Sequence, residues 1–129
     1  MAEEFYLPEE VVEWLGRKKS ELLAWVLENQ PLDDIPVEDH LQYEAAVAQT
    51  IAGPDQAWGQ KWEGHRVVIQ LKMFDDRGVY WMFVVALLSP VVDRPGEEVM
   101  VPVLAIPTWD RRWLLPWCQG EPRAGGPLQ

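Results

Sequence analysis

The stretch "VYWMFVVALL", Val79 to Leu88, runs for ten residues without a charge. It is far too short to cross a bilayer as a helix, which takes about 20 apolar residues. Its β-branched and aromatic content favours an extended strand instead. Apolar on both faces, it is predicted to be the central strand of a sheet, and its neighbours fit that reading. In "HRVVIQLKMF" (residues 65–74) Val67, Ile69, Leu71 and Met73 alternate with Arg66, Gln70 and Lys72, which predicts a strand with one solvated face. "DDRG" between the two runs is a tight-turn signal. Downstream, a polar loop "SPVVDRPGEE" precedes "VMVPVLAIP", where Pro102 cannot donate to a ladder and so predicts an edge strand.

The first half is helical. "LPEEVVEWLGRKKSELLAWVLENQP" spaces Val11, Leu15, Leu22 and Val26 at helical intervals, interrupted by Arg17, Lys18 and Lys19. Pro8 and two glutamates open it and Pro31 follows its end. A second helix is predicted over "VEDHLQYEAAVAQTIA", with Asp39 as N-cap and Leu41, Ala45, Ala48 and Ala52 as a narrow stripe joined by Val47 and Ile51. "DQAWGQKWEG" reads as a helical turn or loop, and "GPD" ends the helix before it. The expected fold is therefore α+β, two N-terminal helices packed on a small antiparallel β-meander of three or four strands. Residues 1–120 form a single domain, and residues 121–129 a disordered C-terminal tail.

The chain has 129 residues and a formal net charge of −10, with 48% hydrophobic residues. The charge is uneven: residues 1–64 hold 14 acidic and 4 basic side chains, and residues 65–129 hold 7 of each. An acidic surface repels phosphate backbones, so non-specific nucleic-acid binding is disfavoured except at a local basic site in the second half. One cysteine, Cys118, permits no internal disulfide, which suits a reducing, cytoplasmic setting. The acidic N-terminus lacks the pattern of a secretion signal, and nothing suggests a membrane partner.

Candidate chemistry is sparse. No spacing of His, Cys, Asp or Glu suggests a metal site, and no glycine loop suggests a phosphate-binding cofactor. The two histidines are His40, at the second helix, and His65, most simply a surface residue. Arg66, Gln70 and Lys72 share one face of the first strand, and Tyr80 and Thr108 join them if register permits. Cations beside a hydroxyl suit RNA cleavage without a metal; an ordinary solvated strand face is the plain alternative.

The segment "TWDRRWLLPW", Thr108 to Trp117, holds three of the eight tryptophans, four apart. Pro116 limits it to a single turn running into an extended tail. Trp109 and Trp113 are expected to be structural and Trp117 exposed. Arg111, Arg112 and Trp117 then form a candidate partner or ligand surface, able to stack on bases or to join two copies as a homodimer.

The run "EDHLQYEAAVAQTIAGPD", followed by the strands at 65–74, 79–88 and 99–107, resembles the small phage- and toxin-associated nuclease-like domains of the barnase, EndoU, colicin and RelE type. The matching positions are His40, Ile51 with Pro54 and Asp55, Lys72 or Arg66, the 79–88 strand and Thr108, within residues 37–112. The resemblance implies helices on one face of an antiparallel sheet. It also implies metal-independent RNA cleavage by His40, Arg66, Lys72 and Thr108. The competing expectation is a non-catalytic binding protein, immunity- or antitoxin-like, that uses its acidic half against a basic protein.

Overall fold

The computed structural model describes residues 6–123. Helix α1 spans Glu9–Asn29, a 3-10 helix spans Val37–Tyr43 and helix α2 spans Glu44–Ala52. Strands follow at Gln56–Trp62 (β1), His65–Phe74 (β2), Tyr80–Val91 (β3) and Arg94–Thr108 (β4). A second 3-10 helix, Arg111–Trp117, leads to a two-residue strand, Glu121–Pro122 (β5). The sheet is antiparallel throughout in the order β4-β3-β2-β1-β5, so the apolar 80–91 strand lies inside it as its composition predicts.

The α+β class and the meander match expectation, but the layering differs. Helices cover both faces of the sheet. On one side α1 and the second 3-10 helix enclose Val67, Ile69, Leu71, Phe83, Val85, Leu87 and Ile106. On the other, Ile35, Tyr43 and Ala46 of the α2 layer meet Tyr80, Met82, Val84 and Ala86. A central strand apolar at every position has no solvated face to offer, so a one-sided helical layer would leave half of it wet.

Helix α1 is continuous from Glu9 to Asn29 and buries Val11, Trp14, Leu15, Leu22 and Val26. Lys18 interrupts that stripe without breaking it. Its stem runs beneath the helix, its ammonium lies 5.7 Å from the Trp14 ring centre, and Nζ reaches Glu63 at 2.7 Å. Glu63 and Gly64 form the β1–β2 turn, both with positive φ (51° and 86°), the geometry of a type I′ hairpin. Trp14 Nε1 (3.3 Å) and Arg17 (3.2 Å) also donate to the Glu63 carboxylate. The Lys18 hydrogen bond, chiefly, holds that carboxyl down to about 2.

Four sequence expectations are corrected. "DQAWGQKWEG" contains strand β1 rather than a helical turn, closed by the Glu63–Gly64 hairpin. The loop "SPVVDRPGEE" is mostly strand, with Val91 paired to Arg94 across a two-residue turn. The second helix begins as a 3-10 turn, so Asp39 is not its N-cap, and the buried positions are Tyr43, Ala46 and Thr50 while Leu41 is exposed. Glu121–Pro122, expected in the tail, pair with Trp58 and Gly59 of β1. Gly120 (φ +122°) permits this close approach, because a Cβ there would lie 2.1 Å from the Gly59 carbonyl oxygen. The remaining tail, residues 124–129, lies outside the described residues.

β4 is the long edge strand, as Pro102 predicts. Pro102 faces Ala86 and Pro107 faces Met82 on β3, positions four apart and therefore in phase. β3's own Pro90, facing Glu98, is in phase with them. A proline has no N–H, so this is the phase in which β4 donates nothing to β3, and Pro102 and Pro107 turn their missing donors to the open side. Between Val85 and Ala86 the register shifts, leaving Val103 as a bulged extra residue.

Candidate functional site

The four residues of the ribonuclease expectation do not meet. Arg66 and Lys72 lie on the α2 side of β2, six residues apart and so separated by about 20 Å along the strand. Arg66 is ion-paired with Glu98 of β4. Lys72 sits 3.6 Å from Asp55 Oδ1 and 6.0 Å from the Phe74 ring centre. His40 is half-buried in the first 3-10 helix with Nε2 3.3 Å from the Ile35 carbonyl oxygen, and burial lowers its pKa from the usual histidine value. Thr108 is fully buried and pairs with Trp81, on the α1 side of the sheet. The cause is the bulge at Val103. It reverses the alternation of β4, so that Leu104, Ile106 and Thr108 face α1 although Met100 and Pro102 face away. These four side chains therefore give no common phosphate-sized point. His65 packs against Trp14, ring centres 4.5 Å apart.

The Trp-rich segment closes the α1-side core. Trp113 stacks on Trp25 of α1 (centres 5.7 Å, planes 9° apart), Trp117 meets Trp25 edge-on at 5.2 Å, and Trp62 of β1 lies 5.7 Å from Trp117. The expected exposures of Trp109 and Trp117 are thus exchanged. Trp117 is half-buried, and Trp109 is 46% exposed. In a 3-10 helix residues three apart eclipse one another, which places Trp117 in line with the fully buried Leu114. Arg111 lies over the Trp81 ring at 4.3 Å and donates to Gln56 Oε1 (3.3 Å), while Arg112 pairs with Asp110 at 2.6 Å. Both guanidiniums are engaged within the fold. Cys118 has its thiol pushed up to about 11 by burial, so it stays protonated at neutral pH.

Asp34 ties this corner together. Its Oδ1 accepts from the Ile35 and Trp109 backbone N–H groups, each at 2.8 Å. Its Oδ2 accepts from the Thr108 hydroxyl and from Trp113 Nε1 at 3.1 Å. The Thr108 oxygen in turn accepts from Asp110 N (3.1 Å) and Trp113 Nε1 (3.0 Å). The link between α1 and the first 3-10 helix is thereby fixed to the end of β4. Only the 74-residue separation of Asp34 and Thr108 in the chain explains why pattern gave no signal.

That fixed link presents a distinctive surface. Leu32 is fully exposed and Leu41 is 77% exposed; Leu27 near the end of α1 and Trp109, whose amide Asp34 holds, are exposed too. The acids along the same stretch, Glu28, Asp33, Glu38, Asp39 and Glu44, form no ion pair among the described residues. Elsewhere Glu21, Asp55, Glu63, Glu97, Glu98 and Asp110 each have a basic partner within 4 Å, whereas Glu9, Glu10, Glu13 and Glu121 also form no ion pair among the described residues. The arrangement is an apolar group rimmed by uncompensated negative charge. Among the described residues no cluster of three His, Cys, Asp or Glu is placed to hold a metal, and no helix is long and apolar enough to cross a membrane. Compared with protein families, with curated proteins and with solved structures, the chain matches none of them.

Proposed function

We propose that this chain is a non-catalytic binding domain that receives a basic protein partner on the link between α1 and the first 3-10 helix. One observation carries the reading: Leu32, Leu41 and Trp109 are exposed along a link fixed by Asp34, among five acids that form no ion pair among the described residues. Apolar anchors with a charged rim are the usual anatomy of a protein interface. Uncompensated charge raises the association rate with a partner of opposite sign and lowers it for nucleic acid. The anchoring of this link by Asp34 reduces the ordering cost of binding.

The test is the affinity and salt dependence of complexes with basic proteins, for the natural chain and for Leu32→Ala with Trp109→Ala. We expect the double substitution to weaken binding at least tenfold, about 1.4 kcal/mol, while leaving the thermal midpoint within a few degrees. Equal binding by both proteins would sink the proposal. The RNA-cleaving expectation is checked in parallel by incubating the protein with single-stranded and transfer RNA in EDTA. We expect the RNA to remain intact. Cleavage that His40→Ala abolishes would replace the binding reading with the ribonuclease one.

A further inference from the structure

Helix α2 is nine residues long and covers only part of its side of the sheet. Past its C-terminal end the floor continues as Ala57 and Gly59 of β1, Val68 and Gln70 of β2 and Met100 of β4. A recess of about 190 Å³ opens there beside Ile51 and Pro54, lined by Ala57, Val68, Gln70 and Met100. A second recess of about 360 Å³ is lined by Gly59, Lys61, Arg66 and Glu121. Arg123 borders both.

Three features of this shelf point to a ligand. Gln70 is 3% exposed, and its Nε2 donates to the Ile51 carbonyl (3.4 Å) while its Oε1 is buried without a hydrogen-bond partner. A buried acceptor in that condition calls for a donor that the protein itself does not supply. Second, the Arg123 side chain lies across Gly59, with Cδ 3.4 Å from where a Cβ would stand, so the missing side chain makes room for the guanidinium over the sheet. Third, a chain of net charge −10 gathers Lys61, Arg66 and Arg123 here. Glu121 lines the same recess and Glu98 holds Arg66, which leaves the shelf with one net positive charge. Lys61 and Arg123 form no ion pair among the described residues.

We infer that this shelf binds a small monocarboxylate with an apolar body and one amide N–H, of the kind an N-acylated aliphatic amino acid provides. The carboxylate faces Arg123 and Lys61. The aliphatic part lies against Ala57, Val68 and Met100, and the Gln70 amide turns towards the recess so that Oε1 accepts from the N–H. The site is separate from the acidic link and stands whether or not that surface binds a protein.

Three probes test it by two-dimensional NMR of the labelled protein: N-acetyl-leucine, its amide N-acetyl-leucinamide, and its N-methyl derivative without the N–H. We expect saturable shifts of the Gln70 side-chain amide and of the Ala57–Gly59 backbone with N-acetyl-leucine. Each altered probe should bind about tenfold more weakly, as should the natural probe to Arg123→Ala. Gln70→Met should erase the difference between the N–H and N-methyl probes; if that variant fails to fold, the probe series with Arg123→Ala decides alone. No saturable shift with any probe at millimolar concentration overturns the inference. Binding indifferent to Arg123→Ala and to the loss of the carboxylate overturns it equally.

Discussion

On one side of β2, Val67, Ile69 and Leu71 meet α1 and a cluster of tryptophans. One residue away along the same strand, Val68 and Gln70 meet a nine-residue helix that stops short, and Arg66 meets solvent. The first face is closed by large flat side chains, and three of their N–H groups are tied to the fold: Trp14 to Glu63, Trp62 to Gln60, and Trp113 to Asp34 and Thr108. The second gathers its aromatics, Tyr43, Phe74 and Tyr80, at one end of β2 and β3 and leaves part of its floor open. Closure thus comes from aromatic volume plus satisfied hydrogen bonds, and openness from a short helix, two glycines and a strand only two residues long.

The contrast makes predictions of decreasing size. Asp34→Ala leaves the Ile35 and Trp109 amides without their acceptor and the Thr108 hydroxyl with only the Asp110 carbonyl, so we expect a loss of about 3 kcal/mol, read by urea denaturation. A loss under about 1 kcal/mol would mean that water replaces the carboxylate and that the corner is not closed. Trp25→Ala removes the stacking partner of Trp113 and Trp117 and should cost about 3 kcal/mol with two-state unfolding preserved. Gly120→Ala, on the open side, forces a Cβ against the Gly59 carbonyl and should cost about 1–2 kcal/mol. Its signature is local: amide exchange quickens at Arg123, which donates to the Ala57 carbonyl, while α1 stays protected.

The smallest effect is electrostatic. Glu63 has its carboxyl held near 2 by Lys18, below the 4.5 of a free glutamate, so its ion pairs stabilise the fold fully above pH 4.5. That contribution fades as pH falls from 4.5 towards 2. Glu63→Gln should flatten the acid limb of a stability–pH curve in that window, by a small amount because the pair is exposed and screened by salt.

Much of the sheet was legible because its period is short and strong. The strands at 65–74 and 79–88 and the edge assignment from Pro102 needed only local pattern, although the solvated face expected of 65–74 is covered by α2, with Val68 and Gln70 buried. β1 was not legible, since Gly59, Gln60 and Lys61 dilute its alternation and Glu63-Gly64 is an unusual hairpin pair. For α2, the opening 3-10 turn rotates the phase of everything after it, so the stripe at Leu41, Ala45, Ala48 and Ala52 gives way to Tyr43, Ala46 and Thr50. The candidate site suffered from the same kind of phase slip. A single bulged residue, Val103, sends Thr108 to the opposite face from Lys72 and Arg66, and no composition rule marks such a bulge in advance.

The prolines of β4 have a consequence beyond the fold. A 15-residue strand at the border of a sheet is a template on which another chain can add itself, and repeated addition is how fibrils grow. Pro102 and Pro107 punctuate that template with two vacancies in its outward row of donors, so an incoming strand finds no uninterrupted ladder. The chain can carry a long edge strand through synthesis and folding with its polymerisation already capped.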